Sequence, residues 1–161
     1  MSGSDVQATF IEAATSDDNG ISTAATLSEA GDLTINGALA SGGSVTFDQP
    51  RNVIITSAGD DRGDTFTVTG TDETGAAQTE AITGANAGVA TGSKFFATVT
   101  QIACSGATAG DVEAGSGTSI AAPVFQGSCR LRGLYVVNTG TAGTITFRET
   151  SGTGSIRMQY N

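Results

Sequence analysis

The sequence predicts an all-β fold: an antiparallel β-sandwich or barrel-like main domain followed by a small C-terminal β-meander, with little or no helix. Three observations predict it. Side chains of one kind recur at every second position through residues 45–47, 53–56, 65–69, 79–83 and 96–102, and a strand sends successive side chains to opposite faces. Gly, Asp and Asn interrupt these runs at short, regular spacing, as in sandwiches and barrels. No segment sustains the 3.6-residue period of an amphipathic helix.

Taken in order, residues 1–21 read as an N-terminal arm. Its apolar run Phe10-Ile11-Glu12-Ala13-Ala14 precedes Asp17-Asp18-Asn19-Gly20, either as a strand ending in a turn or as an arm that orders on a partner. Residues 22–117 read as the main β domain. Leu33-Thr34-Ile35 is its first strand candidate, closed by Asn36-Gly37, a strong hairpin pair. The loops at 59–64, 72–75 and 84–88 each offer Gly or Asn where positive φ is needed. Asp72-Glu73-Thr74-Gly75 has the form of a type I turn with a glycine bulge. Residues 105–128 are rich in Gly, Ala and Ser and read as a loop or linker, with one short strand candidate around Val112. Residues 118–161 read as the C-terminal β-meander, able to pack on the main domain as one unit. In its last two strands Ile145, Phe147, Ile156, Met158 and Tyr160 alternate with Thr144, Thr146, Arg148, Arg157 and Gln159.

The chain has 161 residues, 38% hydrophobic and 6% aromatic, with 23 Gly and no Trp. Its core must therefore be thin and built of small residues. Burial is worth about 25 cal/mol per Å² of apolar surface, whereas ordering the backbone costs roughly 1–2 kcal/mol per residue. An isolated monomer is expected to be marginal, gaining stability from burial against subunits or a partner.

Histidine is absent, which removes the usual general base near neutral pH and the commonest metal ligand. Ser/His and Cys/His pairs are then impossible. A glycosidase-type carboxylate pair would want aromatic platforms, yet there are two Tyr and no Trp. The Gly-rich stretches lack phosphate-loop spacing. The expectation is a non-enzymatic protein without catalytic, cofactor-binding or metal-binding residues. No run of apolar residues is long enough for a membrane span, and Met1-Ser2-Gly3-Ser4-Asp5 does not resemble a secretory leader.

Charge divides the chain. Residues 1–117 hold fifteen acidic residues against Arg51, Arg62 and Lys94, whereas residues 118–161 hold Arg130, Arg132, Arg148 and Arg157 against Glu149. An acidic body argues against nucleic acid as a partner. The basic segment suits docking to an acidic neighbour, a second copy included; chance scatter of four arginines is the competing reading. Asp60, Asp61 and Asp64 share one turn, but their spacing lacks the alternate-position carboxylates of a calcium loop. Asp favours such turns for local backbone bonding. Arg62-Gly63-Asp64, a tripeptide familiar from integrin-binding adhesins, is read as coincidence in a chain rich in Gly and Asp. Cys104 and Cys129 are the only cysteines. They either link the main sheet to the meander or stay as two free buried thiols.

Residues 51–59, 65–72, 78–88, 94–100 and 105–110 resemble a β-rich module of tailed-bacteriophage virion structural proteins. The runs at 130–135 and 140–148 look like another phage-particle segment. The resemblance implies a particle component made in the host cytoplasm and carried in the virion. Its partners would be other virion proteins, the major capsid protein or neck and tail proteins, with a homo-oligomer, a trimer for instance, expected. Capsid decoration is the expected role: clamping shell subunits from outside by burying thin apolar faces and strand edges. Phe10, Ile11, Arg130, Arg132, Arg148 and Arg157 are the candidate docking residues. The rivals are a neck/tail adaptor or fibre component and a host-surface carbohydrate-binding module; scarce Trp and Tyr weigh against the latter.

Overall fold

The structure, a computed structural model, describes residues 15–121, 144–148 and 156–160. Eight strands form one sheet: β1 (Asp17–Ala25), β2 (Gly31–Asp32), β3 (Ala40–Ser41), β4 (Ser44–Asp60), β5 (Thr65–Thr71), β6 (Ala77–Thr83), β7 (Asn86–Cys104) and β8 (Val112–Ile120). A separate antiparallel pair joins β9 (Ile145–Arg148) to β10 (Ile156–Tyr160). No helix occurs among the described residues. The sheet runs β1-β8-β4-β7-β5-β6, with β2 on β7 and β3 on β4. Every pairing is antiparallel. The sheet is not closed into a barrel.

Two long strands organise it. The second half of β4 lies between β8 and the first half of β7, from Arg51↔Phe96 to Asp60↔Asn86. The second half of β7 instead takes β5 as a neighbour, from Thr71↔Thr98 to Phe66↔Cys104. Register breaks between Thr46 and Arg51 and again between Asn52 and Ile54. Pro50 sits in the first break, where its missing N–H costs no ladder bond. Both sheet halves send side chains into one cluster. Ile21, Val53, Ile55 and Val112 come from one half, and Phe66, Val68, Val99 and Ile102 from the other. The result is sandwich-like, with Phe66 and Phe96 its largest fully buried side chains.

Expectation and structure part at several elements. The runs at 45–47 and 53–56 are two parts of the single strand β4. Leu33-Thr34-Ile35 is not a strand. The pairing stops at Asp32, one further backbone bond joins Leu33 to Ile102, and Leu33 fills the core. Asn36-Gly37 makes no hairpin: the Gly37 N–H donates to Ile21 O and the Asn36 carboxamide accepts from Thr23. A Cβ on Gly37 would collide with the backbone of Asn19 and Gly20, so this glycine serves close approach.

The stretch read as a linker contains β8, an interior strand of nine residues. Its small side chains hid it, because Gly115 and Gly117 occupy positions where Asp17 O and the Asn52 side chain press in. The sheet therefore spans Asp17 to Ile120, starting inside the expected arm and running past residue 117. The 72–75 turn agrees with its expected form. Gly75 has φ of 84°, and Asp72 Oδ1 accepts from Thr74 N–H, Thr74 Oγ1 and Ala76 N–H.

Candidate functional site

The bend of β4 gathers several long-range polar contacts. Asn52, 3% exposed, donates from Nδ2 to Gly92 O on β7 at 3.4 Å and accepts at Oδ1 from Ser119 N–H on β8 at 3.0 Å. One carboxamide thus ties both neighbouring strands where their ladders lapse, and most buried polar groups in folded proteins are paired in this way. Arg51 pairs with Asp48 at 3.0 Å and also donates to Thr15 O. At the same bend Ala121 N–H donates to Pro50 O at 2.9 Å. The chain enters and leaves the sheet side by side.

A second set of bonds holds β6 to the middle of β7. Glu80 accepts from Ser93 N–H, Ser93 Oγ and Lys94 N–H, while Gln78 Nε2 donates to Phe95 O at 2.7 Å. Lys94 Nζ returns a bond to Thr79 O.

The Asp60–Asp64 turn is internally engaged. Arg62 clasps Asp60 with two bonds, at 2.8 and 2.7 Å, and holds its carboxyl below the usual range. Asp64 Oδ1 accepts from Ser105 Oγ, so both charged ends of Arg62-Gly63-Asp64 are spent within the chain. Asp61 is fully buried: Oδ1 accepts from Ala109 N–H at 2.7 Å, and Oδ2 has no hydrogen-bond partner. No group of three or more metal-ligating side chains occurs among the described residues.

Two shallow clefts mark the outer face of the first sheet half. One, about 280 Å³, is bordered by Ser16, Asp18, Ile54, Val89 and Thr91. The other, about 170 Å³, is bordered by Thr56, Ala58, Asp111 and Glu113. Beside the first cleft, residues 87–92 of β7 pair with β4 alone, and Val89 is 53% exposed.

No family model, curated protein or solved structure matches the chain.

Of the residues expected from sequence, Cys104 is a free thiol in the core, its Sγ donating to Gly106 O at 3.4 Å. Burial pushes it up from the ordinary thiol range, and the carboxylates of Asp64 and Asp61 add to that shift. Cys129, Phe10, Ile11, Arg130 and Arg132 lie outside the described residues. Arg148 ends β9, and Arg157 follows its ladder partner Ile156 on β10. Ile145 on β9 is 36% exposed, so its expected inward side chain is not buried. Sequence reasoning missed Asn52 and Glu80, and it read Asp61 only as a residue of its turn, without the buried bond to Ala109 N–H. Asn52 had one legible signal, a carboxamide adjoining the apolar run Val53-Ile54-Ile55. Glu80 had none, since its partners arise from a bend thirteen residues away.

Proposed function

We propose that the protein is a non-enzymatic structural component of a tailed-phage virion and that it decorates the capsid, stabilising the head from outside. One observation carries the reading. The segments that resemble a virion module, at 51–59, 65–72, 78–88 and 94–100, stand side by side as β4, β7, β5 and β6, so the resemblance falls on one contiguous sheet. Such a sheet, with threonine-rich faces, suits contact over a broad surface. The acidic body and the four arginines beyond residue 117 supply complementary charge for binding between subunits.

Quantitative mass spectrometry of purified particles tests this. The expected result is a copy number comparable to that of the major capsid protein, with purified protein binding expanded capsids and not isolated tails. A copy number matching the neck or tail rings would move the assignment there. Retention on host cells or a glycan array would favour carbohydrate recognition instead. Absence from particles would overturn the proposal.

A further inference from the structure

We propose that Asn19 is a site of spontaneous deamidation, and that its conversion to aspartate or isoaspartate loosens the crossing where residues 37–39 lie against β1. The inference goes beyond the virion reading and does not rest on it.

An asparagine followed by glycine can lose its side-chain amide without an enzyme. The glycine nitrogen gives up its proton and attacks the asparagine Cγ. A C–N bond closes a cyclic imide, the Cγ–Nδ2 bond breaks, and ammonia leaves with that proton. Water then opens the ring at either carbonyl. One opening gives aspartate, and the other gives isoaspartate, whose backbone runs through the former side chain. Glycine favours the attack because no Cβ hinders close approach of its backbone.

The chain has two Asn-Gly pairs, Asn19-Gly20 and Asn36-Gly37, and the fold treats them differently. At Asn36 both reacting groups are engaged. Gly37 N–H donates to Ile21 O at 2.9 Å. The Asn36 carboxamide oxygen accepts from Thr23 N–H at 3.0 Å and from Thr23 Oγ1 at 2.9 Å. Ring closure there must break all three bonds, each of them net favourable in the folded state. Asn19 is exposed, and its carboxamide has no hydrogen-bond partner among the described residues. Register with β8 slips between Asp17 and Ser22, so Asn19 and Gly20 stand outside the regular ladder. The Asn19 N–H turns instead to Asp17 Oδ1 at 3.3 Å.

Conversion has a structural consequence because the crossing is tight. A Cβ on Gly37 would collide with Asn19 O and Gly20 O. Gly37 and Leu39 donate their N–H groups to Ile21 O and Gly20 O. Isoaspartate lengthens the backbone by a methylene at residue 19, against Gly37, in a contact with no room to spare. Either product also adds a negative charge beside Asp17 and Asp18, where like charges repel.

The test incubates the full chain in mildly alkaline buffer and follows both asparagines by peptide mapping, with isoaspartyl methyltransferase labelling. In the folded protein Asn19 is expected to convert about tenfold or more faster than Asn36. In concentrated urea, with the bonds at Asn36 gone, the two are expected to convert at similar rates. After conversion the amides of Gly37 and Leu39 should exchange faster than in fresh protein. Asn19→Gln, at an exposed position, should abolish the fast phase of ammonia release while keeping the wild-type circular dichroism. An Asn19 that stays intact, or an Asn36 that converts as fast in the folded protein, overturns the proposal. So does a preference for Asn19 that persists unchanged in urea, which would trace it to neighbouring sequence instead of the fold. Unchanged exchange at Gly37 and Leu39 after conversion overturns the loosening. If Asn19→Gln does not fold, the mapping of the wild type decides alone.

Discussion

Ala87 holds a φ of 44° at the start of β7, a left-handed conformation that costs an L-residue about 1–2 kcal/mol. It sits between Asn86 and Gly88, either of which would bear that angle more cheaply, so the strain is a property of this position. Ala87→Gly is expected to raise stability by about 0.5–1 kcal/mol after the added chain entropy of glycine is counted, measured as a later urea midpoint at unchanged slope. Asp72 shows how a turn carboxylate couples to pH. The Thr74 hydroxyl, and then the Thr74, Ala76 and Gly75 N–H groups, hold its carboxyl below the usual range. The folded state therefore favours the ionised form. Its contribution is present above the ordinary carboxylate range and fades as pH falls through it. Asp72→Asn keeps the acceptor oxygen and removes the titration. Stability measured from about pH 5 down to pH 2 should then fall less steeply than in the wild type. The side chain is largely in water, so the difference will be small.

At the scale of elements, β5 depends on one missing side chain. A Cβ on Gly70 would collide with Thr98 O in the adjoining strand, where register shifts between Thr69 and Gly70. Gly70→Ala is expected to cost about 1–3 kcal/mol, seen as a lower thermal midpoint, with Phe66 and Val68 losing exchange protection first. The strands that announced themselves in the sequence were those with a period of two and β-branched residues, namely β4 through β7. Strand β8 did not. Val112 and Ile120 bracket a stretch of Gly, Ser, Thr, Ala and Glu, and its pattern follows from what crosses it rather than from its own hydrophobicity. Likewise Ile21 reads as the last residue of an N-terminal arm until Val112 and Ala114 are seen to lie in the same cluster. Legibility of the site was poorer than that of the fold. Asn52, Glu80 and Asp61 act through bonds to backbone groups brought near by bends, and bends at Pro50 and around Gly92 leave no periodic trace.

For the whole molecule, charge is the chief lever. The chain carries a formal −9, and Arg51 and Arg62 spend themselves on local carboxylates, Asp48 and Asp60. Such exposed pairs contribute little, so the remaining carboxylates repel across the sheet. Added sodium chloride is expected to raise the thermal midpoint at neutral pH as screening relieves that repulsion. A flat or falling response would show that the surface charges are too dispersed to matter.

The side-by-side entry and exit of the chain at the β4 bend has a practical corollary. Thr15 O is held by Arg51 and Ala121 N–H by Pro50 O, which places the two ends of the eight-stranded unit at consecutive residues of one strand. A short glycine-rich loop should suffice to join them, and fresh ends could be cut at the open Gly42-Gly43 turn. The circularly permuted sheet would keep each of its ladders.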